Sequence, residues 1–250
     1  MTLISRKRVL SRTRLPGFLD ELTVAAGSEC LTLYLPPHFP TNELENVLKR
    51  IPTPPDILKE LAKITGDSKT GAVIFWSPEV KYAVLPPFPV AEQNLINSTD
   101  TGPLRSLVVS DRLIAVVLVR LGSYAIGVFN GEERISSKVG TGLVHGRHRQ
   151  GGSSAHRFER HRDKQIEYFL TRVCRRSREQ LEPYVKSLDY VVYGGARTTI
   201  QLLQKQCPFI GKLEIPALPP LLDIPEPRQA VLEKAVTRVW SSTVYEWRED

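Results

Sequence analysis

Residues 145–162 gather the side chains with the most chemical reach in this chain. They read His145-Gly146-Arg147-His148-Arg149-Gln150-Gly151-Gly152-Ser153-Ser154-Ala155-His156-Arg157-Phe158-Glu159-Arg160-His161-Arg162. Four of the five histidines and five arginines stand in these 18 residues, around a Gly-Gly pair, with one acid, Glu159. Continuing to Arg178 gives ten Lys and Arg against three Asp and Glu, a net of +7, which equals the net charge of all 250 residues. Positive charge concentrated in this way repels itself, so the pattern points to a polyanionic partner. The guanidinium fork fits phosphate with two parallel hydrogen bonds. Histidine rings add donors and stacking faces, which suits RNA with unpaired bases. Arg147, His148, Arg149, Gln150, Arg157, Arg160 and Arg162 are therefore the candidate RNA contacts. Gly151 and Gly152 leave backbone N–H groups unobstructed at the start of a helix, where Ser153 or Ser154 is a good N-cap and anions are attracted.

Other chemistries fit less well. His145 and His148 are three apart and His156 and His161 five apart, with no Cys or Asp in ligand register, and flanking arginines would repel a dication. No metal centre and no cofactor are expected. A metal-dependent nuclease would draw on Asp111, Glu132, Glu133 and Asp189, which show no clustering, and Asp111 reads as a turn residue. Cys30, Cys174 and Cys207 are odd in number and far apart, which suggests structural free thiols in a reducing cytoplasm.

The elements that must hold the basic segment are legible on both sides of it. Ile114–Arg120 is a buried strand and Ala125–Phe129 the next, with Gly122-Ser123 as the turn between them. Asn130-Gly131 is a hairpin turn leading into Glu132–Val139. A long helix from about Ser154 to Tyr184 follows. It has an apolar stripe of Phe158, Ile166, Phe169, Leu170, Val173 and Leu181, and Arg160, Lys164, Arg175 and Arg178 opposite. Asp189–Tyr193 is a strand, Thr198–Gln206 a helix, Leu213–Ile215 a short strand and Gln229–Trp247 a C-terminal helix. Trp240 and Trp247, seven apart on that helix, read as core packing or, alternatively, as a docking face for a partner. Earlier in the chain, Leu31–Leu35, Gly71–Trp76 and Lys81–Leu85 read as strands, and Asn42–Arg50 and Asp56–Ile64 as helices. The polar segment 91–103 marks a domain boundary. The expectation is an α/β (α+β) chain with a mixed sheet: a smaller N-terminal α/β domain over 1–104 and a second domain over 105–250.

Arg6, Lys7, Arg8, Arg12 and Arg14 precede the first acid, Asp20, with no apolar segment of the kind that marks a secretory signal. Such a composition fits a flexible basic tail, and also a transit peptide. No apolar run approaches the ~20 residues that span a bilayer, and Leu113–Val119 is only strand-sized. No membrane association is expected, and the cytoplasm is the expected compartment.

The run from Gly140-Thr141-Gly142 through Arg162 resembles the middle domain of eukaryotic and archaeal class-1 peptide chain release factors. Arg157-Phe158-Glu159-Arg160-His161-Arg162 matches that family's Arg-Phe-x-Arg-x-Arg helix start. Ile126–Phe129 with Asn130-Gly131, and Tyr193-Gly194-Gly195-Ala196, are similar to its strands. The resemblance covers roughly residues 105–205 and lies nearest the bacterial and ribosome quality-control branch. It implies a ribonuclease-H-like middle domain and peptidyl-tRNA hydrolysis in the large-subunit peptidyl-transferase centre. The ribosome, rRNA and tRNA would be the partners, and Gly151, Gly152, Ser153 and Ser154 would stand at the ester. One departure matters. The family's glutamine follows the glycines directly or one residue later, and those positions here are Ser153 and Ser154; Gln150 precedes the pair. Paralogues such as Pelota rescue ribosomes without hydrolysis, so a non-catalytic factor of the same fold is the alternative. Residues 1–104 show no codon-reading motif, and the family's C-terminal partner-binding domain is not recognised, which favours rescue or quality control over stop-codon termination.

Overall fold

The alternating apolar segments of the chain form two separate sheets. The computed structural model describes residues 3–27, 29–146 and 155–249. Arg147, His148, Arg149, Gln150, Gly151, Gly152, Ser153 and Ser154 lie outside the described residues. In chain order the first elements are β1 (Leu3–Leu10), α1 (Leu15–Ala25), β2 (Leu31–Leu35), α2 (Thr41–Leu48), α3 (Pro55–Asp67), β3 (Ala72–Trp76), β4 (Lys81–Leu85), β5 (Asn94–Ile96) and α4 (Gly102–Val109). Then follow β6 (Leu113–Arg120), β7 (Ser123–Asn130), β8 (Glu133–Thr141), α5 (Ala155–Leu181) with a 3-10 turn Glu182–Tyr184, β9 (Tyr190–Gly194), α6 (Arg197–Gln206), α7 (Pro208–Gly211), α8 (Gln229–Val239) and β10 (Ser242–Glu249).

The chain divides into one unit of Met1–Ser110 with Thr237–Asp250, and a second of Asp111–Val236. This differs from an expected break at 104/105 in two ways. Leu104 and Val108 of α4 belong to the core of the first sheet, and the last strand returns to that sheet.

The first unit is a six-stranded antiparallel sheet in the order β1-β10-β4-β3-β2-β5. Successive side chains on a strand point to opposite faces, so the sheet has two apolar sides. Val73, Phe75, Val84 and Val244 pack with Leu15, Leu19 and Leu22 of α1, whereas Ile74, Trp76, Ala83 and Trp247 pack with Leu44, Leu48, Ile57 and Leu61 of α2 and α3. The expected polar linker is pinned to this sheet. Thr32 Oγ1 donates to the Ser98 carbonyl at 2.7 Å and Tyr34 Oη to that of Asp100 at 2.8 Å.

Two expectations at the chain ends are corrected. The N-terminal basic segment is strand β1, not a flexible tail, and the C-terminal helix stops at Val239 and gives way to β10. The seven-residue Trp240–Trp247 interval satisfies a helical stripe, but Thr243, Val244 and Tyr245 favour a pleated surface. Both tryptophans are buried, Trp240 against Phe88 and Trp247 against Trp76. The charges of β1 sit on an edge strand, where they discourage unwanted pairing. Arg6 lies opposite Glu246 in the register, and the Arg8 guanidinium covers the Phe18 ring at 4.9 Å.

The second unit has a mixed sheet in the order β8-β7-β6-β9, antiparallel except for the β6–β9 pair. Strand β6 is buried on both faces, as its unbroken apolar run requires. Ala115, Val117, Val119, Ile126 and Val128 meet Phe169, Leu170, Val173 and Leu181 of α5, with Ile200 and Leu203 of α6. The β7–β8 turn is Gly131-Glu132, with φ +61° at Gly131, while Asn130 is the last residue of its strand and pairs with Glu133. A glycine first in a two-residue loop is the type II′ pattern.

Leu213–Ile215 is not a strand. Instead Ala217 and Leu221 make isolated parallel bridges to Val191 and Gly194. Pro216, Pro219 and Pro220 withhold the donors a full ladder needs. Cys174 and Cys207 are joined in a disulfide, Cα atoms 5.4 Å apart, which corrects the free-thiol reading; Cys30 is free and buried. Their 33-residue separation hid the pair, because only the packing of α5 beside α6 brings them together. Among the described residues no helix is long and apolar enough to cross a membrane.

Candidate nucleic-acid interface

Helix α5 organises the site. Its 27 residues bury Phe169, Leu170, Val173, Ser177 and Leu181 along one side. The recurrence at three and four residues is that of a single helical face. Phe158, expected in this stripe, stands about three turns before Phe169, the first buried residue of the stripe, and is 55% exposed. The helix therefore projects its first turns, with Arg157, Arg160 and His161, away from the core into solvent.

The strand leading to the basic segment is laid along α5 by hydrogen bonds to its backbone. Arg172 Nη1 donates to the Thr141 carbonyl at 2.8 Å, while Gly142 N is held by the Gly122 carbonyl of the β6–β7 turn at 2.9 Å. At His145, Arg162 Nε donates to the carbonyl at 3.0 Å, while Gln165 Oε1 accepts from the amide at 3.0 Å. Both backbone groups of one residue are thereby satisfied by one helix. Gly142 makes the approach possible, since a Cβ there would stand 2.8 Å from Phe169 Cδ2. Val144 packs against the core while Leu143 is 70% exposed.

Of the sequence-derived contacts, Arg157 and Arg160 are exposed on α5, and Arg162 is half-buried with its Nε on the His145 carbonyl. The other four, Arg147, His148, Arg149 and Gln150, and the glycine and serine pairs, fall on the undescribed segment. Gln165 and Arg172 were not singled out from sequence. A single glutamine within a helix carries no signal, and Arg172 was one cation among many. Tyr168, 75% exposed, was also missed, and it stands one helical turn from Lys164.

The charge balance of α5 stays positive after its ion pairs are counted. Glu179 Oε2 lies 2.6 Å from Arg176 Nη1 and Oε1 lies 3.8 Å from Arg175 Nε, so one acid serves two arginines. The hydrogen bond and charge of Glu179 raise the Arg176 pKa. Asp189, one of the acids a nuclease would need, accepts from the Leu113 amide at 2.7 Å. Among the described residues no three His, Cys, Asp or Glu side chains come together as a metal site.

A family model described as Actinobacteria/chloroflexi VLRF1 release factor matches residues 112–245. The chain is 26% identical over 207 residues to peptide chain release factor subunit 1 of Archaeoglobus fulgidus, covering 69% of this chain and 49% of that protein. It is 23% identical over 209 residues to the protein of the same name from Aeropyrum pernix, covering 72% and 56%. The chain thus spans about half the length of the curated relatives it matches. A crystal structure of the archaeal translation termination factor aRF1 aligns with a TM-score of 0.39 at 18% identity, over 92% of this chain and 70% of that one.

Proposed function

The chain belongs to the family described as Actinobacteria/chloroflexi VLRF1 release factor, and from that premise we propose that it acts on the ribosome, in the cytoplasm, as a release or rescue factor. It binds the peptidyl-tRNA end in the peptidyl-transferase centre of the large subunit and hydrolyses the ester. The observation that carries this reading is the concentration of the chain's whole net charge of +7 in residues 145–178, where Arg157 and Arg160 stand exposed on α5. Arg147, Arg149, Arg157 and Arg160 grip rRNA and tRNA phosphates, with His148 and Gln150 as additional polar contacts. Gly151 and Gly152 let the backbone approach the ester, and the N–H of Ser153 stabilises the oxyanion formed when water attacks the carbonyl. That donor is present whatever side chain the residue carries.

A second reading rests on one specific observation, the serines at 153 and 154 where the resembled family carries glutamine. Loss of water positioning costs on the order of 10²-fold in rate. On this reading the protein occupies the stalled complex without opening the ester.

The test is peptidyl-tRNA hydrolysis on purified stalled large-subunit complexes, with salt-dependent binding measured in parallel. Release above background that is lost in Gly152→Ala establishes the hydrolase. Salt-sensitive binding without release establishes the occupancy factor. Unchanged co-sedimentation of Arg157→Glu/Arg160→Glu at physiological salt removes the proposed interface.

A further inference from the structure

Six residues of α5 follow one another at intervals of three, four, four, seven and three: Arg157, Arg160, Lys164, Tyr168, Arg175 and Arg178. With 3.6 residues per turn these intervals keep all six on one line along the helix, roughly 32 Å long at about 1.5 Å per residue. Every one of the six is exposed, and the line lies opposite buried Phe169, Val173, Ser177 and Leu181. Asp163 and Glu167, three residues after Arg160 and Lys164, fall to one flank of the line, and Glu159 falls on the opposite side of the helix. Glu179 stands beside the far end of the line, engaged with Arg175 and Arg176.

A solvated helix face normally alternates its charges, because opposite signs three or four residues apart support the helix and like signs oppose it. The line itself carries cations and no acid from Arg157 to Arg178, with Asp163, Glu167 and Glu179 beside it. At its centre it also exposes 75% of Tyr168 to water, although burial of an aromatic ring is favourable. Cations in file with an aromatic among them form the arrangement that binds single-stranded nucleic acid, the cations following phosphates and the ring stacking on a base.

We infer that the exposed face of α5 from Arg157 to Arg178 is a binding track for a single-stranded segment of RNA, with Lys164, Arg175 and Arg178 on phosphates and Tyr168 stacked against an unpaired base. It extends the contact with RNA well beyond the glycine-containing segment. The inference rests on the proposed reading that the partner is RNA, and the substrate class it names is a strand with at least one base free to stack, not a continuous duplex.

The experiment measures fluorescence anisotropy of the full chain with a labelled single-stranded RNA of about a dozen nucleotides and with a duplex of equal length, across a salt series. Expected is tighter binding of the single strand. Lys164→Met/Arg175→Met should flatten the slope of log affinity against log salt by about 1.4, near 0.7 for each lost phosphate contact. Tyr168→Ala should weaken single-strand binding by on the order of tenfold while Tyr168→Phe retains it. Circular dichroism melts confirm that the exposed substitutions leave the fold intact. If single-strand affinity is unchanged in Lys164→Met/Arg175→Met and in Tyr168→Ala but is lost in Arg157→Glu/Arg160→Glu, the track is overturned and the reading of an RNA partner stands. If the wild-type chain binds no RNA, both fall. A duplex preferred over the single strand, with no effect of Tyr168→Ala, overturns the single-strand assignment.

Discussion

Arg162 and His145, seventeen residues apart, are joined where the Arg162 Nε donates to the His145 carbonyl at 3.0 Å, and Gln165, one turn further along α5, takes the amide of the same residue. The strand leaving β8 is thus closed onto the helix that follows the basic segment, and both ends of residues 147–154 start from one support. On the proposed function, in which these residues reach the peptidyl-transferase centre, fixing the ends of the segment lowers the entropy lost on binding.

The amide of His145 reports this clamp directly. Gln165→Ala leaves the amide without its side-chain acceptor, and Arg162→Met removes the donor to the carbonyl. Each hydrogen bond is near the surface, so a net effect of about 0.5–1.5 kcal/mol is expected. Native-state hydrogen exchange at His145 should accelerate by roughly three- to tenfold in either variant, with the amides of β6 unchanged. Unchanged exchange at His145 in both would remove the clamp.

Gly142 tests the same closure by steric means. An alanine Cβ would stand 2.8 Å from the Phe169 ring, and Phe169 is 2% exposed in a filled core. Gly142→Ala should therefore cost about 1–3 kcal/mol in urea denaturation. Adding Phe169→Leu, which vacates the ring edge, should recover part of that loss. A double variant no more stable than the sum of its parts would show that the ring is not the obstacle.

The middle of the chain was legible because its patterns are local. Leu113–Arg120 and Ser123–Asn130 are apolar runs bounded by turns, and Phe169, Leu170, Val173 and Leu181 mark the buried side of α5 without any knowledge of the sheet they meet. The chain ends were not legible. Thr243, Val244 and Tyr245 become a strand only because β1 and β4 lie on either side, from residues more than 150 positions away in sequence. The Cys174–Cys207 bond and the Gln165–His145 contact are products of tertiary packing in the same sense. At the site, Arg157 and Arg160 were visible as charges. That Arg162 spends its Nε on a backbone carbonyl was not, since composition does not reveal which way a guanidinium points.

Glu246 and Tyr82 give the first unit a defined pH response. Burial raises the Glu246 pKa, but hydrogen bonds from the Tyr82 hydroxyl and Arg248 Nε, both 2.7 Å, and the nearby guanidinium charges outweigh it and leave the carboxyl below its ordinary value. A depressed folded pKa contributes stability above the unfolded value of about 4.3 that is lost as pH falls through the folded one. For Tyr82, burial first and then the Glu246 hydrogen bond raise the phenol. Its contribution is complete below about pH 10 and is lost as pH rises through the raised folded value. Unfolding free energies measured from acid to alkaline pH should show both limbs. Glu246→Gln should remove the acid limb and weaken the alkaline one, because burial of the phenol persists. Tyr82→Phe should shrink the alkaline limb and leave the part due to Tyr34 and Tyr193, whose phenols burial also raises. An acid limb of full size in Glu246→Gln would assign it to other carboxylates.

The disulfide between Cys174 and Cys207 makes the second unit's stability depend on redox state. It ties the middle of α5 to the end of α6 across 33 residues of sequence. Closing a loop of that length removes unfolded-state entropy worth about 3–4 kcal/mol, less any strain in the folded bond. α5 carries both the buried face of the core and the exposed arginines, so loosening it touches packing and interface together. Addition of a thiol reductant should lower the melting temperature of the wild-type chain by up to roughly 10 °C. Cys174→Ala/Cys207→Ala should melt near the reduced wild type and be indifferent to reductant, and the free, buried Cys30 leaves no second pair among the cysteines to confuse the result. Equal melting of oxidised and reduced wild type, with two titratable thiols appearing on reduction, would mean that packing alone holds α5 against α6. An RNA affinity that also falls on reduction would link the bond to the exposed face of the helix, because Cys174 is half-buried and Cys207 buried.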